Sequence, residues 1–179
     1  PTDYVVGMDF PAVTLKSLYF REEVFAVVLR EQVRLVIEEW KFRNVIIVNG
    51  HGAENHLNVI GRLQREFNET TAGRVLWVMP MFNFPNGAWS HAALEETETL
   101  MAYYPETIDL GALPPARTKL KNLKWAIIDD LTFRGTPTRD FTVRPEEDPR
   151  GADRKRGRKV FARTLTDLKK LLLKQLAER

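Results

Sequence analysis

NVIIVNGHGAENHLNVIGRLQREFNETTAGRVLWVM, residues 44–79, decides the fold. It opens with NVIIV at 44–48, a β-branched run closed by the turn pair Asn49-Gly50. Such a run predicts a short strand buried on both faces. From Glu54 to Phe67 the residues Leu57, Ile60, Leu63 and Phe67 recur at helical spacing, so a helix follows. Gly73 ends it. RVLWVM at 74–79 predicts a second buried strand, stopped by Pro80. Strand, helix and strand joined by short links are the pattern of a parallel βαβ unit.

The pattern extends both ways. Upstream, between Arg21 and Lys41, Val24, Phe25, Val28, Leu29, Val33, Val36, Ile37 and Trp40 predict an amphipathic helix. Downstream, FNFPNGAWSH at 82–91 is rich in turn formers, and a helix over 92–104 ends before Pro105. WAIID at 125–129 predicts a third strand, 130–151 an irregular excursion, and 152–176 a closing amphipathic helix. The expected fold is α/β: three layers, with flanking helices on a mostly parallel sheet. Residues 1–19 precede any clear element and few strands are legible. The sheet is therefore expected to be incomplete on its N-terminal side.

The 179 residues suit a single domain over 1–179. A hydrophobic share of 44% supports a packed core. The sequence has no cysteine, which excludes disulfides, thiolate metal sites and cysteine nucleophiles and fits a reducing, cytoplasmic setting. The net charge of +3, from 27 basic and 24 acidic residues, is near balance. Most of the excess lies in RGADRKRGRK at 150–159, which lacks interleaved aromatics. It reads as a solvated loop or helix start, and no nucleic-acid partner is expected. Nor is a membrane partner or a signal peptide, since no apolar run is long enough.

Two of the three histidines lie in VNGHGAENH at 48–56. In open α/β sheets, ligands gather beyond the carboxyl ends of strands. His51 lies there, between Gly50 and Gly52, where backbone can approach a bound group. A neutral imidazole near the carboxylate of Glu54 suits a divalent ion. The same residues also read as a plain Asn-Gly turn before a helix whose first turn favours Glu54. His56 is expected to be an exposed, incidental helical residue. The second constellation is WSHAALEETETL at 89–100. His91 in a Gly/Pro-rich loop can serve as a general acid or base, with Trp89 as an apolar wall. Glu95, Glu96 and Glu98 also read as the acid-rich start of an ordinary helix. Nucleophile-elbow, phosphate-loop, dinucleotide and H-E-x-x-H patterns are missing from the sequence.

Together these motifs resemble the creatininase (creatinine amidohydrolase) family. Its N-G-H-G-G-N stands as Asn49-Gly50-His51-Gly52-Ala53-Glu54, and its H-A-G-x-x-E-T-S as His91-Ala92-Ala93-Leu94-Glu95-Glu96-Thr97-Glu98. Residues 10–33 resemble its F-P-G-T-x-x-L stretch and the helix that follows, and DPRGADRKRGRK resembles a late segment. The resemblance runs from about Phe10 to Leu110. It implies a metal-dependent hydrolase of small cyclic amides or related molecules, in which a metal activates water. A pair of Zn²⁺ or Mn²⁺ ions is implied, with Fe²⁺ suited to the same donors, and so is a homo-oligomer, a hexamer.

By the same resemblance His51 is a metal ligand and His91 transfers protons at the substrate. Glu96 is a candidate ligand. Glu54, displaced by one residue from the family's ligand position, is a weaker one. Asn49, Gly52 and Trp89 fall on the substrate side. The family's upstream E-x-H-G-x-H-L-P-x-x-D has no counterpart, since Asp3 and Asp9 stand without histidine neighbours. The chain thus resembles the larger C-terminal part of a creatininase-like domain. It is a hydrolase if an upstream segment completes the ligands, or else a non-catalytic relative that binds small molecules or serves assembly.

Overall fold

The computed structural model describes residues 20–80, 91–125, 127 and 140–178. It is a mixed helix–strand protein with a small parallel sheet. The described residues fall into two compact units, one over 20–80 and the other from 91 onward.

The first unit is the predicted βαβ pattern with its preceding helix. Helix α1 spans Glu22–Glu38, strand β1 Asn44–Val48, helix α2 Glu54–Thr70 and strand β2 Arg74–Val78. The strands pair in parallel, with Asn44 opposite Arg74 and Val48 opposite Val78. Phe25, Ala26, Leu29, Val33 and Ile37 form the buried stripe of α1. They meet Val59, Ile60, Leu63 and Phe67 of α2 and Val75 of β2, with Val45, Ile47 and Trp77 packed against them. The Arg30 guanidinium donates to both Glu66 carboxylate oxygens at 2.9 Å, tying α1 to α2. Gly73 is required by a close approach: a Cβ there would lie 2.8 Å from Ile37 Cδ1.

The expectation that β1 is buried on both faces is corrected. Val45 and Ile47 are half-buried, whereas Ile46 is 39% and Val48 70% exposed. The physical reason is that α1 and α2 both pack on the face carrying Val45, Ile47, Val75 and Trp77. β2 is better covered, with Val75, Leu76 and Val78 all buried. At Val75 the main chain finds a side-chain partner: Asn68 Oδ1 accepts from its N–H at 2.7 Å and Asn68 Nδ2 donates to its carbonyl at 3.0 Å.

In the second unit, helix α3 spans Leu94–Tyr103, a short α4 Asn122–Trp125, and α5 Arg154–Ala177. Single helical turns lie at Pro105–Thr107, Leu110–Ala112, Pro145–Glu147 and Pro149–Gly151, in keeping with the irregular character expected of the described part of 130–151. The strand expected at 125–129 is also corrected. Trp125 ends α4, and the Ile127 N–H donates back to the Asn122 carbonyl at 3.1 Å. Residues 126 and 128–130 lie outside the described residues. The cause is local: Asn122 Oδ1 accepts from Phe141 N–H at 2.7 Å, and Lys121 pairs antiparallel with Thr142, so this stretch closes a turn. Leu120, Ile127, Val143 and Ala93 form the core there. Among the described residues no helix is long and apolar enough to cross a membrane.

Candidate active site

β1 and β2 deliver their carboxyl ends together: the N–H of Asn49, one residue beyond β1, donates to the carbonyl of Val78, the last residue of β2, at 2.8 Å. Asn49 itself is 5% exposed. Its Oδ1 accepts from His51 N–H at 3.1 Å, and its Nδ2 donates to the His51 carbonyl at 2.7 Å. The turn after β1 is thus folded around this carboxamide, with the half-buried His51 at its apex. Gly52 is buried beside it. A Cβ built on Gly50 meets no described atom within 4 Å, so the turn does not need glycine there for space. Glu54 is exposed at the first position of α2, where its charge favours the helix N-terminus.

His56 departs from the sequence reading. It is 3% exposed, not a surface residue. Its ring stacks on Phe25 of α1 at 4.3 Å and meets the His51 ring edge-on at 5.0 Å. Its Nε2 lies 3.0 Å from Asn49 Oδ1. Burial pushes the His56 imidazole down to about 4, and the nearby His51 acts in the same direction. The imidazole is therefore neutral near pH 7. The signal was present in the sequence, since His56 lies on the same helical stripe as Ile60, Leu63 and Phe67.

In the second unit, α3 begins at Leu94, two residues later than expected, because Ala92 takes a left-handed φ of 54°. The Ala92 N–H donates to Glu96 Oε2 at 2.5 Å, so a carboxylate in the first turn reaches back to hold the entry of the helix. His91 Nδ1 lies 3.5 Å from the same oxygen. A carboxylate on Nδ1 favours the tautomer whose Nε2 carries the lone pair. His91 and Glu96 are both well exposed, at 51% and 43% of their side chains. Trp89 lies outside the described residues.

Glu98 is not the ordinary surface acid of a helix start. It is 3% exposed, accepts from Asp153 N–H at 3.0 Å, and pairs with the Arg156 guanidinium of α5. Gly157 makes this crossing possible, because a Cβ there would overlap the Glu98 carbonyl. The stripe of Leu94, Glu98 and Ala102 along α3 was the available sequence signal.

A divalent ion held by the protein needs at least three converging donors. Among the described residues no three histidine, aspartate or glutamate side chains come together as a metal-holding group. The described residues alone therefore do not fit such an ion. In the first unit the His56 ring already faces Asn49.

Comparison with known proteins agrees with this architecture. No curated protein matches the sequence. Among solved structures, the chain is similar to a Bacteroides fragilis NCTC 9343 protein provisionally named a creatinine amidohydrolase, with a TM-score of 0.57 and 21% identity. That likeness covers 86% of this chain and 62% of the other, and at this identity it speaks for the fold. The chain thus spans less than two thirds of that relative's length. The family pattern described as Creatininase, creatinine amidohydrolase, matches residues 11–172, well past the motifs at His51 and His91. On a match covering most of its length, this chain belongs to the creatininase family.

Proposed function

We propose that this chain carries part of a metal-dependent C–N hydrolase that opens a small cyclic amide or a related molecule with water. The observation that carries the reading is the placement of His51. It stands at the carboxyl end of a parallel strand, on a turn that Asn49 holds from both sides, within a motif of the creatininase family. His51 is read as one ligand of a Zn²⁺ or Mn²⁺ centre. Glu54 and Glu96 are the further candidate ligands among the described residues, and the rest of the set is read as coming from beyond them. Asn49, Gly52 and Trp89 are assigned to the substrate side. The full architecture is read as a three-layer α/β domain assembled into a homo-oligomer, a hexamer, working in the cytoplasm on a small molecule.

His91 is the proposed proton carrier. With Glu96 against Nδ1, Nε2 is the atom that takes a proton from the attacking water and returns it to the leaving nitrogen, yielding a carboxylate and an amine. The assay is hydrolysis of a panel of small cyclic amides by native protein supplied with zinc or manganese. His91→Ala is expected to lower turnover roughly 10²–10⁴-fold with metal content unchanged. Equal turnover in His91→Ala would remove it from the chemistry. A second reading, a non-catalytic binding or assembly subunit, is favoured by the lack of a three-donor group among the described residues. It predicts no turnover on the panel and no retained metal.

A further inference from the structure

We infer that Asn49 and His56 are positioning residues for His51: the carboxamide grips the His51 main chain from both sides, and the buried imidazole braces that carboxamide from behind. The inference rests on the reading of His51 as a functional residue and names what sets its place.

A carboxamide offers an oxygen that only accepts and a nitrogen that only donates. Asn49 Oδ1 receives two donors, His51 N–H at 3.1 Å and the His56 ring at 3.0 Å. Asn49 Nδ2 donates to the His51 carbonyl at 2.7 Å and lies 3.6 Å from Met79 Sδ. Flipping the amide would aim N–H groups at the His51 N–H and oxygen at the His51 carbonyl, breaking both turn bonds. Because Oδ1 has no proton to give, His56 must carry its proton on Nε2. His56 cannot swing away, because its ring is buried and stacked on Phe25.

The chain of contacts therefore runs from Phe25 on α1 through His56 on α2 to Asn49 at the end of β1. The Asn49 N–H, bonded to the Val78 carbonyl, adds β2. Both helices and both strands of the first unit fix the main chain of His51, so the fold sets the point from which its imidazole extends. Groups that orient a functional imidazole in this way are worth roughly 10–100-fold in metal affinity.

The test uses the full chain with four substitutions. His56→Phe keeps the stack on Phe25 but has no donor, and His56→Gln restores an amide donor. Asn49→Asp replaces the donation to the His51 carbonyl with carboxylate–carbonyl repulsion, which drives the turn open. His51→Ala removes the imidazole. Hydrogen exchange of the His51 amide and affinity for Co²⁺ are read together. His56→Phe and Asn49→Asp are expected to exchange that amide roughly tenfold faster and to bind Co²⁺ roughly 10–100-fold more weakly. His56→Gln should recover most of both. Wild-type exchange in His56→Phe and Asn49→Asp overturns the inference, and so does failure of His56→Gln to recover it. Wild-type Co²⁺ affinity in His51→Ala would instead remove the ligand role of His51, with the amide exchange still deciding the positioning claim. Should His56→Phe fail to fold, Asn49→Asp carries the decision alone.

Discussion

Acid should destabilise the first unit through one buried imidazole. His56 is 3% exposed and its pKa is lowered from 6.5 to about 4. The folded state therefore prefers neutral His56, and between these two values the unfolded chain binds more protons. The sign follows from this: the contribution is fully present above about pH 6.5, falls as pH drops, and levels off below about pH 4. At ~1.4 kcal/mol per pH unit, the gap corresponds to about 3 kcal/mol. That is a large fraction of a typical domain stability of roughly 5–15 kcal/mol. Other groups also titrate over this range, so the measurement is a double difference. Urea unfolding of the native chain and of His56→Phe is followed by circular dichroism at about pH 7 and about pH 4. Phenylalanine keeps the ring on Phe25 and removes the titration. The native chain should lose about 3 kcal/mol more than the variant on acidification. Parallel losses in the two proteins would refute the reasoning and place the His56 imidazole in an environment that tolerates charge.

The other predictions concern the second unit. Glu98→Ala removes the acceptor of Asp153 N–H and of Arg156 and should cost about 2–3 kcal/mol in urea unfolding, with an unchanged midpoint counting against it. Gly157→Ala drives a methyl group into the Glu98 main chain; since main chain yields little, a loss of about 2–3 kcal/mol is expected, and a stabilised protein in the same experiment would show that the helices separate freely. Arg150 donates to the carbonyls of Pro114, Pro115 and Thr118 within 3.0 Å and forks onto Asp148. Arg150→Lys should therefore loosen 114–118 as much as Arg150→Ala, seen as faster hydrogen exchange there, because an ammonium cannot span four acceptors; protection retained by lysine alone would contradict this.

The first unit was legible because its signals are local. β-branched runs, one helical stripe and Asn-Gly suffice to place β1, α2 and β2, and the observed bounds agree with the expected ones to within a few residues. What was not legible is pairwise. The exposure of Ile46 and Val48 depends on both helices choosing one face of the sheet, which no pattern within β1 encodes. The strand expected at 125–129 failed where it is described because Asn122 found Phe141, 19 residues away. The basic run at 150–159 read as solvated charge, yet Arg150 and Arg156 are engaged by Asp148, four carbonyls and Glu98. A charge's partner on another element is invisible to a composition count.

The two histidines of the opening stretch divide one task by environment. They are five residues apart, but α2 starts between them, so His51 stays in the turn and His56 is carried onto the buried stripe. Burial costs a charged imidazole far more than a neutral one that is hydrogen-bonded. A neutral His56 with its proton on Nε2 satisfies Asn49 in the orientation that the His51 turn bonds require. A lysine there would bring its charge into the core, and a leucine would fill space without donating. Glutamine could donate but would not stack flat on Phe25. Histidine alone among common side chains combines an aromatic face for Phe25 with a neutral ring donor small enough for the first turn of α2. That demand, set by Asn49 and not by a ligand, accounts for His56, the second of the two histidines in this stretch.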